Sequence, residues 1–303
     1  MTQTAVTIGT LTLKNPVTVA SGTAGYGEEF SRFFDISRLG AIFTKGLSIE
    51  PRPGNKGNRI CETTAGVLNS IGLENVGLEA FLRDKMPFLI SKGATVIPNV
   101  AGHSIEENVE LCRVLSETPG VSAVELNVSC PNVKEGGMAF GRDIRVFTEL
   151  VEKARKVTKG PLIVKLSPNN TDPGEFAVRA EELGADAVSA VNTFLGMKID
   201  LHSKRPHFRN KFAGYSGPAI KPMALRIVFD IFSRVSIPVI GLGGISSVED
   251  VIEFMLAGAS AVSIGTMSLV DPVVSVNCIG ALEQYLHSEG YNDVKDIIGL
   301  AHR

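Results

Sequence analysis

Apolar, β-branched runs recur along the chain. They begin at Val17 (VTVAS), Ala41 (AIFTKG), Ala94 (ATVIPNV), Ala123 (AVELNVS), Pro161 (PLIVKLS), Ala187 (AVSAVNT), Pro238 (PVIGLGG) and Ala261 (AVSIGT). Between them the apolar positions take helical spacing: Phe147, Leu150, Val151 and Ala154 form one stripe, and Val248, Val251, Ile252 and Met255 another. Ser104 with Glu107, and Ser246 with Glu249, have the spacing of capping boxes. Asp172 before Pro173 reads as a cap with proline in the first turn. Gly160, Gly184 and Gly258 stand where helices should stop. Eight strands alternating with eight helices predict an α/β fold, a parallel (β/α)8 TIM barrel spanning residues 1–303 as one domain, with a doubly wound open sheet as the competitor. The opening VTIGTLTL predicts a hairpin outside the barrel count. Two connections, Ser48 to Glu74 after strand two and Phe194 to Ser216 after strand six, are too long for plain loops. Both leave the C-terminal ends of strands, where barrel active sites are built.

Length and composition agree with this outline. The 303 residues are 44% hydrophobic and 20% charged, as in an ordinary globular enzyme. A net charge of -2 makes no global case for nucleic acid. The N-terminus lacks the charged and apolar regions of a signal peptide, and no apolar run reaches the ~18 residues that span a bilayer. The four cysteines, Cys61, Cys112, Cys130 and Cys278, form no CxxC pair, so neither a zinc nor an iron–sulfur site is expected on this chain. Scattered cysteines suit a reducing, cytoplasmic setting.

The most informative pattern is polar. Ser21, Lys45, Asn99, Asn127, Lys165 and Asn192 fall at the C-terminal ends of strands one to six. Parallel strands covered on both faces should read as continuous apolar runs, and a buried lysine without a partner costs several kcal/mol. Either a shared ligand rich in acceptors or an internal ion-pair and water network would satisfy the set. Strands seven and eight end differently, in Gly241-Leu242-Gly243-Gly244 and Gly265-Thr266. Glycines there let backbone N–H groups approach an anion, and the helix expected from Ser246 adds a positive dipole end, so a phosphate is expected.

Cys130 opens a glycine-containing loop after strand four. Its thiol can be a nucleophile, a base or inert, and with an unperturbed pKa of ~8.5 it is mostly protonated at neutral pH. The insertion after strand six carries Lys198, Lys204, Arg205, Arg209 and Lys211 against one acid, Asp200. It is either a solvated loop or a face for an anionic ligand or partner.

The runs TKGLS (44–48), NSIGLEN (69–75), NVSCPN (127–132), VKLSPN (164–169), VNT (191–193), GLGGI (241–245) and SIGT (263–266), in this order across the chain, resemble dihydroorotate dehydrogenase. A cysteine at 130, and a chain that starts almost at its first hairpin, resemble the soluble class of that family. CPNVKEGGMAFG (130–141) and YSGPAIKPMALR (215–226) are similar to the NAD-linked type 1B catalytic subunit; the homodimeric, fumarate-linked type 1A is the near alternative. The resemblance implies oxidation of dihydroorotate to orotate in pyrimidine biosynthesis, with Cys130 as base at C5 and hydride passing from C6 to FMN. It implies an FMN cradle of Ala20, Ser21, Lys45, Gly46, Asn99, Asn127, Lys165, Val191, Gly217, Gly243, Gly244, Gly265 and Thr266. Substrate would meet Lys45, Asn69, Ser70, Ile71, Gly72, Leu73, Asn127, Asn192 and Thr193. Catalysis would rest on Cys130, Lys165 and Lys45, with no metal on this chain. The implied assembly is a homodimer joined by a subunit carrying FAD and a [2Fe–2S] cluster, with no membrane or nucleic-acid partner. A flavin-free phosphate-binding isomerase or lyase, and a non-catalytic flavin-binding scaffold, are the rival readings of the same barrel.

Overall fold

The computed structural model describes residues 2–129, 131–132 and 138–303. All eight expected strands are present and parallel. In chain order they are Val17–Val19, Ile42–Phe43, a third strand split into Val96–Ile97 and Asn99–Val100, then Val124–Asn127, Leu162–Lys165, Ala187–Ala190, Val239–Leu242 and Ala259–Ile264. Neighbours in the sheet follow chain order, and strand eight pairs with strand one. The two halves of strand three occupy the two ends of the hydrogen-bonded order. One half pairs with strand two and the other with strand four, which closes the ring. The break falls at Pro98, whose ring nitrogen has no hydrogen to donate. A closed barrel therefore replaces the open-sheet alternative.

Strands four to seven are buried at every position, because helices cover their outer faces and side chains fill the inside. Helices Ile144–Val157 and Pro173–Glu182 pack through Phe147 and Phe176, whose rings meet edge-on at 5.0 Å. The cap at Asp172 forms as expected, accepting from Gly174 N–H. Ser104 accepts from Glu107 N–H, but the Glu107 carboxylate turns to the N–H groups of Ile49 and His103, so only half of that capping box exists. The box at Ser246 does not form. Ser247 holds the N-cap position of helix Val248–Leu256 without a side-chain capping bond, and Ser246 bonds to Asp250 instead. The count of eight helices also fails in the first crossover. Between strands one and two the described chain makes two single 3-10 turns, Phe30–Arg32 and Ile36–Arg38. Gly22, Gly25 and Gly27 all take positive φ there, which no helix accommodates.

The N-terminal hairpin pairs Val6–Ile8 with Leu11–Leu13. The two long insertions do more than extend from the rim. Strands Ile60–Thr63 and Gly66–Asn69 from the first join Phe194–Met197 and Phe212–Ser216 from the second in one four-stranded antiparallel sheet. Leu68, Phe208 and Ala213 form a small core beneath it. Among the described residues no helix is long and apolar enough to cross a membrane.

Candidate active site

A cavity of about 560 Å³ opens at the C-terminal ends of the barrel strands, beside the insertion sheet. Its volume lies within the ~300–1,000 Å³ usual for cofactor and substrate pockets. Every described residue that the motifs implicate lines it. Ala20 and Ser21 follow strand one, Lys45 and Gly46 follow strand two, and Asn99 lies within strand three. Asn127 and Lys165 end strands four and five, and Val191, Asn192 and Thr193 follow strand six. The first insertion adds Asn69, Ser70, Ile71, Gly72 and Leu73; the remaining wall is Gly217, Gly243, Gly244, Gly265 and Thr266. Cys130 lies outside the described residues. Its neighbour Ser129 lines the cavity and donates its N–H to Asn127 Oδ1.

The polar groups form two clusters. In the first, Lys165 is 4% exposed and donates to Ser21 Oγ at 3.0 Å. Its ammonium also lies 3.8 Å from the buried Glu125 carboxylate. Glu125 accepts from Asn99 Nδ2 at 2.5 Å and from Ser189 Oγ at 2.7 Å. An internal ion pair thus satisfies part of the polar set at the strand ends. Glu125 was not among the expected site residues. Its signal in the sequence was a lone acid inside the apolar run AVELNVS. In the second cluster, Asn192 Nδ2 donates to Asn127 Oδ1 at 3.2 Å, and Asn192 Oδ1 accepts from Thr193 N–H. At the rim, Lys45 lies 3.8 Å from Glu74, which Arg59 holds at 2.9 Å.

The internal bonds do not satisfy everything. Asn99 Oδ1, Ser129 Oγ and Ser263 Oγ, on three cavity-lining residues, are buried without a hydrogen-bond partner among the described residues. Buried polar atoms are ordinarily paired, so these suit a ligand carrying both donors and acceptors. At Gly265 an added Cβ would meet only Ala20 Cβ at 3.6 Å and Thr23 Cγ2 at 3.9 Å, ordinary contacts that leave the backbone open to an occupant. Gly243 and Gly244 take φ of +125° and +82°, and a Cβ on Gly244 would strike the Lys221 backbone at 2.6 Å. These residues fit a phosphate-bearing flavin. The wall continues through Ile245, next to Ser246, while none of Ser246 to Glu249 lines the cavity, and Met267, after Gly265-Thr266, is in the wall as well. Ser216, whose Oγ accepts from Thr266 Oγ1 at 2.8 Å, joins the wall from the insertion sheet.

A family model described as dihydroorotate dehydrogenase matches residues 3–286. The chain belongs to the dihydroorotate dehydrogenase family. It is 48% identical over 298 residues to the Desulforamulus reducens protein named dihydroorotate dehydrogenase B (NAD(+)), catalytic subunit, covering 98% of each chain. It is 50% identical over 294 residues to identically named proteins of Trichlorobacter lovleyi, covering 97% of each chain, and Geobacter sulfurreducens, covering 97% of this chain and 96% of the relative. Within a dihydroorotate dehydrogenase fold the other cysteines have structural surroundings. Cys61 lies on an insertion strand, while burial pushes the thiols of Cys112 and Cys278 up to about 12 and about 11. The basic residues of the second insertion are all exposed, around a short hairpin pairing Ile199–Asp200 with Arg205–Pro206.

Proposed function

We propose that this chain is the catalytic subunit of an NAD-linked dihydroorotate dehydrogenase that oxidises dihydroorotate to orotate in pyrimidine biosynthesis with FMN as resident cofactor. The observation that carries the reading is the convergence of two lysines, four asparagines and a glycine-rich wall on one cavity with unpartnered buried polar atoms.

FMN, when bound, supplies the acceptor for the hydride that leaves C6 of the substrate. Ala20, Ser21, Gly46, Asn99, Val191 and Gly217 would hold its ring system, and Gly243, Gly244, Gly265 and Thr266 its phosphate. Lys165 would stand by the pyrimidine edge of the ring, where its charge stabilises added electrons. Lys45 would serve cofactor and substrate together. Asn69, Asn127 and Asn192 each donate and accept, which suits the amide edges of a pyrimidine; Thr193 lies beside them. The backbone from Ser70 to Leu73, turned at Gly72 and Leu73 with φ of 77° and 55°, would hold the substrate carboxylate. Cys130 would take the C5 proton as thiolate.

The names of the relatives support an assembly with a second subunit. We assign the FAD and the [2Fe–2S] cluster to that partner, and the exposed basic insertion as one face of the contact, in a heterotetramer of the cytoplasm.

Colour and bleaching test the reading. The purified protein should be yellow with a flavin spectrum, and anaerobic dihydroorotate should bleach it. A colourless chain that takes up no FMN would favour a flavin-free barrel enzyme, and a yellow one that dihydroorotate leaves unbleached would favour a scaffold.

A further inference from the structure

Lys165 and Glu125 form an ion pair inside the barrel, with side chains 5% and 2% exposed. Burying both charges is expensive, and a buried lysine without a counter-charge loses its proton readily. The geometry here is unusual for such a pair. Glu125 spends its closest contacts on neutral donors: Oε1 accepts from Ser189 Oγ, and Oε2 accepts from Asn99 Nδ2. The ammonium stays 3.8 Å away and donates to Ser21 Oγ. The carboxylate therefore balances the charge without occupying the remaining ammonium hydrogens. Lys165 and Asn99 line the cavity and Glu125 does not, so the acid acts on the cavity through these two side chains.

Register explains the arrangement. Lys165 pairs with Asn127 on one side and Ser189 on the other, and Asn99 pairs with Glu125. Glu125 lies two residues before Asn127 on the same inward face of strand four. Partners on strands three, five and six thus surround the acid, which sits one level below Asn127 and Lys165.

We propose that Glu125 is a positioning residue that keeps Lys165 charged and directed into the cavity, so that the bound cofactor always faces an ammonium rather than a neutral amine. Among the described residues no other acid lies within ion-pair distance of Lys165. Lys45 and Glu74 pair with each other at the rim, and Cys130, on the loop after strand four, lies outside the described residues. The consequence for cofactor chemistry rests on the flavin reading, but the pairing does not.

The test is a titration of the purified chain labelled with 13C at lysine Cε, the Lys165 signal being the one lost in Lys165→Met. Glu125→Gln is a suitable neutral probe. Asn99 Oδ1 has no partner, so the Asn99 amide can turn and accept from the new Gln amide. The midpoint of the Lys165 signal is compared between wild type and Glu125→Gln. In Glu125→Gln its midpoint should fall by at least about one pH unit, tenfold in proton affinity. The reduction potential of the bound flavin should gain a pH-dependent segment at the same midpoint. An unchanged Lys165 midpoint overturns the proposal. Should the Gln variant fail to fold, Lys165→Met tests the reciprocal: Glu125, left unpaired, should take up a proton and show a carboxylic-acid infrared band at neutral pH that wild type lacks, and absence of that band overturns the proposal equally. A chain that carries no flavin while its Lys165 midpoint still falls would refute the flavin reading and leave the pairing intact.

Discussion

Removal of a general base typically slows an enzyme ~10²–10⁴-fold, and a serine hydroxyl is a far weaker acid than a thiol. Cys130→Ser is therefore expected to keep FMN yet lose turnover by that factor at neutral pH. Wild-type rates from the serine variant in a steady-state assay at pH 7 would take Cys130 out of the mechanism. Lys165→Ala should act on a different quantity. Its charge matters most once electrons arrive, so kcat and kcat/KM should fall together while substrate affinity changes little. Rapid mixing that finds flavin reduction as fast as in wild type would contradict that role. Gly265 separates folding from cofactor binding. An added Cβ there makes only ordinary contacts, and Gly265 lines the cavity, so Gly265→Leu should keep Tm near the wild-type value. Overpacking of about 1–3 kcal/mol should nevertheless weaken FMN binding roughly ten- to hundredfold. Fluorescence titration of FMN into the variant gives the number, and undiminished affinity would remove the Gly265 backbone from the cradle.

The turn after strand seven shows how one ionic contact holds an element. Lys221, at the start of helix Lys221–Phe232, lies 2.5 Å from Asp250 and 2.9 Å from Glu253. Asp250 also accepts from the backbone and hydroxyl of Ser246. Burial opposes ionisation of Asp250, but these bonds outweigh it and hold the carboxyl below its usual range, while the bond to Asp250 holds Lys221 above its own. The signs follow directly. The Asp250 contribution is present above the ordinary carboxylate range and is lost as pH falls through its depressed value. The Lys221 contribution is complete below the ordinary lysine value and fades as pH rises through the raised one. Asp250→Asn should therefore destabilise the protein by about 1–3 kcal/mol at neutral pH, with the difference shrinking in acid. Thermal unfolding at neutral and acidic pH reads both, and an equal gap at the two would show that the ionic bonds are not its source.

For the whole molecule, the question is where the electrons go. The motifs imply one flavin site, and no strand is followed by a GxGxxG dinucleotide loop. Direct reduction of NAD⁺ would require a second substrate to reach the same cavity, beside which the insertion sheet stands. The isolated chain is expected to reduce artificial dyes with dihydroorotate but to reduce NAD⁺ poorly, and an added FAD/iron–sulfur subunit should restore NAD⁺ reduction. Full NAD⁺-linked turnover by the single purified chain would sink this division of labour. Efficient fumarate reduction by a homodimer would point to the type 1A enzyme instead.

The alternation of apolar runs and helical stripes was enough to determine the eight strands, the hairpin and the sites of both insertions, because burial on two faces leaves a strong local pattern. The same logic made Lys45, Asn99, Asn127, Lys165 and Asn192 visible, since polar residues stand out where a strand should be apolar. Local pattern failed where nearby groups competed. Ser246 had the spacing of a cap, yet Asp250 took its hydrogen bonds, and the first crossover became turns around three glycines. The tertiary structure alone decided which residues meet. Strand pairing brought Glu125, Asn99, Ser189 and Lys165 together from four separate runs, and it joined two insertions over a hundred residues apart into one sheet. Those contacts depend on barrel register and closure, which periodicity within a single segment does not encode.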